Sequence, residues 1–234
     1  MTERQSGPLV DPVDVPDWMR KLLLGTADLD EEMFRRLAPP DDAELREAAV
    51  LIALGEQHGE PDVLLQLRAD GLGAHAGQVA FPGGSWEPGD DGPIATALRE
   101  AEEETGLIRS GVRPVALLPR LFVPVSGFRV TPVLAHWHTP SPVHAVDPAE
   151  SAAVARVPIA TLADPANRFQ VGHPSGFVGP AFAVPGMLVW GFTAGLMTVL
   201  LSIGGWEQPW DTSDVRDLDV AWRSIGPFGA DAEV

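Results

Sequence analysis

A chain of 234 residues, 45% of them hydrophobic, is long enough to bury one substantial core, which excludes disorder throughout. Its 16 basic residues against 33 acidic ones leave a net charge of −17, a field that repels polyanions and argues against nucleic-acid binding. Cysteine is absent and Lys21 is the one lysine, so disulfide frameworks, thiolate zinc sites and cysteine nucleophiles are excluded, Schiff-base chemistry is disfavoured, and a reducing cytoplasm fits.

In chain order, Met1 to Val10 lacks the apolar run of a secretion signal. Asp17 to Leu24 and Asp30 to Leu37 each open on an acidic cap-type residue and carry apolar residues at near-helical spacing, which predicts a helical appendage over residues 1–42 closed by the breaker Pro39 to Asp42. Ala48 to Leu54 and Asp62 to Arg68 read as strands joined through the turn-rich Gly55 to Pro61. A glycine-rich loop leads to Phe81-Pro82-Gly83-Gly84, and Pro93 to Thr105 is the clearest helix, with Pro93 in its first turn and Gly106 as its stop. Val115 to Leu118, Leu121 to Val125 and Val130 to Ala135 are strand-like. Thr139 to Pro148 is a loop, and Ala149 to Arg156 suits either a strand or a short helix.

Leu188 to Ile203 is apolar on several faces and reads as a buried helix. The uncharged stretch Ala181 to Trp206 is long enough to cross a bilayer, but Pro185, Gly186, Gly191 and Gly195 interrupt it and no basic cluster flanks it, so no membrane span is expected. Residues 206–234 carry tryptophans and acids without a period and read as a peripheral C-terminal tail. Strands before, around and after two helices predict an α/β (α+β) layered domain with a mixed sheet over residues 43–205.

The chemistry concentrates between Glu87 and Glu104, where Glu87, Asp90, Asp91, Glu100, Glu102, Glu103 and Glu104 face a single base, Arg99. On a helix Glu100, Glu103 and Glu104 stand at i, i+3 and i+4 and share one face. Two unit charges about 5.5 Å apart repel by about 3 kcal/mol at an effective dielectric near 20, so the face either points into solvent or holds a cation. Ala95, Ala97, Leu98 and Ala101 already supply the apolar side, and an all-oxygen donor set suits Mg²⁺ or Mn²⁺.

Gly84, Asp90 and the run Arg99-Glu100-Ala101-Glu102-Glu103-Glu104-Thr105-Gly106-Leu107 resemble the signature box of the Nudix hydrolases: Gly, five residues, Glu, seven residues, Arg-Glu-apolar-any-Glu-Glu-any-Gly-apolar. Aspartate replaces the first glutamate, and Asp91 restores the family spacing if it, instead of Asp90, is the counterpart. Leu64 to Arg68 with Gly77 to Gly84 is similar to the extra motif of the coenzyme A pyrophosphatase branch, and Ser126 to Val133 and Val189 to Ala194 look like further segments of it. Gly73 stands where that branch usually has a basic residue, and Gln66 and Ala69 replace its small hydroxyl residues.

The resemblance implies an α/β/α sandwich and a divalent-metal site of Glu100, Glu103 and Glu104, braced by Arg99, at which water attacks a diphosphate. It implies a small nucleoside diphosphate derivative as partner, coenzyme A first and ADP-ribose as the alternative, with a non-catalytic binding module as the reading from another class. Gly83 and Gly84 let the loop backbone approach the ligand; Arg68, Arg120 and Arg129 are candidate anion contacts, each weighed against a structural ion pair; Glu150 is a candidate extra carboxylate. His75 is a weaker candidate, His136 and His138 read as core or exposed histidines, Trp190 and Phe192 read as core, and a homodimer is left open.

Overall fold

The computed structural model describes residues 6–29, 45–69, 77–124, 126–174 and 176–225. The helix expected at Asp30 to Leu37, the breaker after it, Gly73 and His75 lie outside these.

The first hairpin is built from apolar runs buried on both faces of the sheet. Strands β2 (Arg46–Gln57) and β3 (Glu60–Arg68) pair antiparallel, and the connection is two residues, His58 and Gly59, both at positive φ (53° and 83°). That geometry matches the twist of the flanking strands, so the strands run further into the expected turn than composition suggests. Along β2, Ala49, Leu51 and Ala53 face one side of the sheet while Ile52 and Leu54 face the other. Among the described residues β2 also pairs with β5 (Gly83–Ser85) and lies parallel to β8 (Phe128–Trp137). Strands β1 (Gly7–Pro8), β4 (Val79–Ala80), β6 (Val112–Leu117), β7 (Leu121–Val123) and β9 (Ser151–Pro158) complete a nine-stranded mixed sheet. Residues 149–156, ambiguous in sequence, thus contribute a strand, fixed by its pairing with β3.

Helix α2 (Gly92–Thr105) covers one face of this sheet through Ala97 and Ala101, and Gly106 ends it in the left-handed conformation at φ 69°. The other face is covered by α1 (Asp17–Gly25) and α4 (Gly191–Gly204), where Met19, Leu22, Leu23, Leu200 and Leu201 meet Ile52, Leu54 and Leu65. The result is the α/β/α sandwich with a mixed sheet that the sequence predicts. The described part of residues 1–42 is not a separate appendage: α1 is embedded in this core and β1 extends the sheet beside β6.

A smaller sheet, ordered β12 (Met187–Val189), β11 (Val178–Val184), β10 (Arg168–Gly172) and β13 (Val215–Asp217), follows the short helix α3 (Ile159–Ala163). Two expectations change here. Leu188 and Val189 belong to a strand, and the helix begins only at Gly191, whose φ of 64° breaks the run after Trp190. The expected peripheral tail also supplies β13, parallel to β10, and α5 (Leu218–Ser224), whose Leu218 and Ala221 are buried against Phe169 and Val171. No helix among the described residues is long and apolar enough to cross a membrane.

Candidate active site

Of the four glutamates of α2, Glu100, Glu103 and Glu104 share a face but enter three environments. Glu104 is buried, its side chain 7% exposed: its Oε2 accepts from the Gly83 amide at 2.8 Å and from Gln66 Nε2 at 2.6 Å, and its Oε1 faces Arg68 Nη1 at 3.4 Å. Glu100 packs on the glycine strand, and a Cβ added at Gly84 meets its carboxylate at 2.5 Å. Glu103 is exposed and takes Arg99 Nη1 at 2.9 Å. Both glycines are needed for close approach, since a Cβ at Gly83 would collide with the Ala49 carbonyl and lie 2.6 Å from Val50 Cα.

Arg99 is the hub of the acidic face. Its Nε and Nη2 each donate to Asp90 at 3.0 Å, its Nη2 donates to the Ser85 carbonyl at 2.9 Å, and its Nη1 lies 3.0 Å from Glu100. The two aspartates therefore separate. Asp90 also accepts from Thr96 Oγ1 at 2.9 Å and the Glu87 amide at 3.0 Å, whereas Asp91 stands at the helix N-cap and makes no capping bond with its side chain. Bidentate pairing with Arg99, with these two further donors, holds the Asp90 carboxyl down at about 2. Burial acts in the opposite direction on the glutamates: it raises Glu100 against the pull of Arg99, and lifts Glu104 to about 7 despite the bonds from Gly83 and Gln66.

The other expected site residues are distributed unevenly. Arg68 pairs with Glu104, the structural ion pair weighed against anion contact, and Gly83 and Gly84 lie against the carboxylates. Arg129 lies across β8 and β2 in an ion pair with Glu47, the structural role weighed against anion contact. Arg120 is half-buried between β6 and β7 and has no ion pair among the described residues; its Nε is buried without a hydrogen-bond partner. Glu150 is exposed, with its carbonyl accepting the Ala69 amide at 2.9 Å, which places it beside Arg68 but brings it into no side-chain contact with the three glutamates. His136 packs edge-on to Trp18 and near His138, and Trp190 precedes α4 stacked on His173, so none of these joins the site.

Sequence reading missed Gln66 and Ser151 as site residues. Both are buried, and Ser151 Oγ donates to Gln66 Oε1 at 2.6 Å. The signal was a lone glutamine inside the apolar run Val63 to Leu67, since a buried amide requires partners.

Four carboxylates (Asp90, Glu100, Glu103 and Glu104) meet two guanidinium groups (Arg68 and Arg99) in this cluster. No three acidic or histidine side chains are gathered into a cage among the described residues; Arg99 holds Glu100 and Glu103, while Gly83 and Gln66 hold Glu104. The donor chemistry nevertheless fits a hard divalent cation: the donors are all oxygens, negative charge is in excess, and two of the carboxylates are desolvated.

The NUDIX domain family matches residues 44–174. A protein of Cronobacter sakazakii described as the uncharacterized Nudix hydrolase NudL is 40% identical over 172 residues, which is 70% of this chain and 85% of that protein. The protein of the same description from Escherichia coli K12 is 38% identical over 167 residues, covering 68% of this chain and 83% of its own. A solved Nudix hydrolase of M. smegmatis, RenU, is similar at a TM-score of 0.42 and 25% identity, over 51% of this chain and 74% of that one. The family match and these relatives define a Nudix-type hydrolase of a diphosphate substrate. The chain belongs to the Nudix family, whose hydrolases generally use divalent metals such as Mg²⁺ or Mn²⁺.

Proposed function

We propose that the protein hydrolyses the diphosphate of coenzyme A or an acyl-coenzyme A to 3′,5′-ADP and (acyl-)4′-phosphopantetheine, in the cytoplasm. The observation that carries this reading is the meeting of the glutamate face of α2 with the Gly83–Gly84 strand, where Glu104 and Glu100 are desolvated beside the backbone of the branch motif. Glu100, Glu103 and Glu104 would hold Mg²⁺ or Mn²⁺. Such a cation, when bound, neutralises the diphosphate and makes a water acidic enough to attack near neutral pH.

The chain's own residues prepare that chemistry. Arg99, fixed by Asp90 and the Ser85 carbonyl, holds the helix face against the glycine strand and keeps Glu100 and Glu103 oriented. The Gly83 amide and Gln66 fix Glu104. In a protein of net charge −17 the substrate's remaining phosphate needs a local cation, and Arg120 is the one of the three arginine candidates with no acid beside it among the described residues.

Incubating the protein with coenzyme A and Mg²⁺ or Mn²⁺, with products identified by mass, should yield the two halves, and Glu103→Gln or Glu104→Gln should reduce the rate by several orders of magnitude. Retained activity in both variants would remove the assigned roles. Gly73, where the branch usually has a basic residue, favours ADP-ribose as the second reading. Equal turnover of coenzyme A and its 3′-dephospho form would select that second reading.

A further inference from the structure

Strand β9 meets β3 with a fault in its register. Gln66 pairs with Val154 and Leu67 with Ala153, but Arg68 pairs with Ser151, so Ala152 is left unpaired and exposed. In regular pairing Ser151 would share a face with Ala153, which lies in the core beneath α1 and α4. One extra residue reverses this, because side chains alternate with a period of two. The bulge turns Ser151 onto the α2 side, the side of Leu64, Gln66 and Arg68, where its hydroxyl reaches Gln66.

The resulting chain of bonds is directional. Ser151 Oγ donates to Gln66 Oε1 and Gln66 Nε2 donates to Glu104 Oε2, each at 2.6 Å, and Gln66 is fully buried. Reversing the amide would set its carbonyl oxygen against the ionised carboxylate, so the carboxylate selects this orientation and the Ser151 hydroxyl satisfies the amide oxygen that is turned away from it. Glu104 Oε2 then carries two short bonds, from Gly83 and Gln66, whereas among the described residues Oε1 has only the 3.4 Å approach of Arg68. One oxygen is saturated and the other retains acceptor capacity.

We propose that Gln66 and Ser151 are positioning residues, brought together by the β9 bulge, that lock the Glu104 carboxylate so that Oε1 is the oxygen presented to a divalent cation. This rests on the cation-dependent reading of the site given above. Partners that orient a ligating carboxylate typically influence metal affinity by 10–100-fold.

The test measures Mn²⁺ affinity of the full-length protein without substrate, by electron paramagnetic resonance of free Mn²⁺, alongside kcat and KM. Gln66→Met, which conserves volume, should weaken Mn²⁺ binding by about 10–100-fold. Ser151→Ala should weaken it in the same direction, and Ser151→Thr, which restores a hydroxyl, should return it toward wild type. The loss should fall on kcat and Mn²⁺ affinity with little change in KM. Should Gln66→Met fail to fold, Ser151→Ala decides alone, since it removes only a hydroxyl. Mn²⁺ binding that Glu104→Gln abolishes but that Gln66→Met and Ser151→Ala leave within twofold overturns the positioning role alone. Binding that Glu104→Gln also leaves intact overturns the cation site and the positioning role together.

Discussion

Replacing Glu104 by glutamine should stabilise the cation-free protein while abolishing its activity. In the fold the Glu104 carboxyl is lifted by burial from an ordinary 4.5 to about 7. A carboxyl raised on folding binds its proton more tightly in the native state, so stability is full below about pH 4.5 and declines as pH rises toward 7. Over that interval the loss is about 3 kcal/mol at 1.36 kcal/mol per unit. Glutamine is neutral at every pH, and its side-chain oxygen at the Oε2 position can accept from both Gly83 and Gln66. Its amino group would face Arg68 in place of Oε1, which gives back part of the gain and leaves about 2 kcal/mol. For a chain of this size that corresponds to a rise in Tm of roughly 4–8 °C at pH 8. Scanning calorimetry of both proteins in EDTA from pH 4 to pH 8.5 should show the curves converging at the acidic end and parting as pH rises. Saturating Mg²⁺ should then raise the Tm of the wild type and leave the variant unchanged, because a cation selects the ionised carboxylate. A variant less stable than wild type at pH 8 in EDTA, or a difference independent of pH, would refute the account of Glu104 as a desolvated charge held for function.

Asp90→Asn should cost about 2 kcal/mol at pH 7 in urea unfolding, from the displacement of its carboxyl to about 2, and the penalty should vanish as pH falls from about 4 to about 2; Asp91→Asn should cost almost nothing. Gly84→Ala should push Glu100 aside and reduce kcat by roughly 100-fold with a smaller effect on Tm, checked by steady-state rates on whichever substrate the panel identifies. Leu22→Ala should destabilise the whole domain by about 2–5 kcal/mol in one cooperative denaturant transition, and a separate early transition would instead mark α1 as an independent appendage. Arg120→Ala should raise KM for coenzyme A more than for its 3′-dephospho form, and equal effects on both would free Arg120 from any role at that phosphate.

Where a physical constraint acts within a few residues, the sequence displays it. The stop of α2 at Gly106, the glutamate face at i, i+3 and i+4 and the apolar run of β2 are all local patterns, and each reappears in the structure. Sequence alone predicts helix at Leu188 and Val189 because an apolar run has the same composition in a buried strand and a buried helix; the positive φ at Gly191 and the pairing with β11 decide between them. The exposed strand β13 gives no apolar signal in the sequence, since backbone bonds to β10 and the Arg216 guanidinium over the Phe169 ring hold it. Asp90 and Asp91 could not be separated by counting, because the choice depends on how the Glu87–Asp90 turn presents one carboxylate to Arg99 and Thr96.

Gln66 is the most instructive case. Compared with the family pattern it looked like the loss of a small hydroxyl residue, yet the bulge at Ala152 brings in a hydroxyl from Ser151, far along the chain, to meet it. The glutamine on one strand and the register fault on its neighbour thus act as a pair that delivers a donor to Glu104 on helix α2. A serine that acts through the glutamine should matter only in its presence: a Gln66→Ser background should make Ser151→Ala nearly silent toward Mn²⁺ affinity. A coupling energy near zero between positions 66 and 151 in that double-mutant cycle would contradict it.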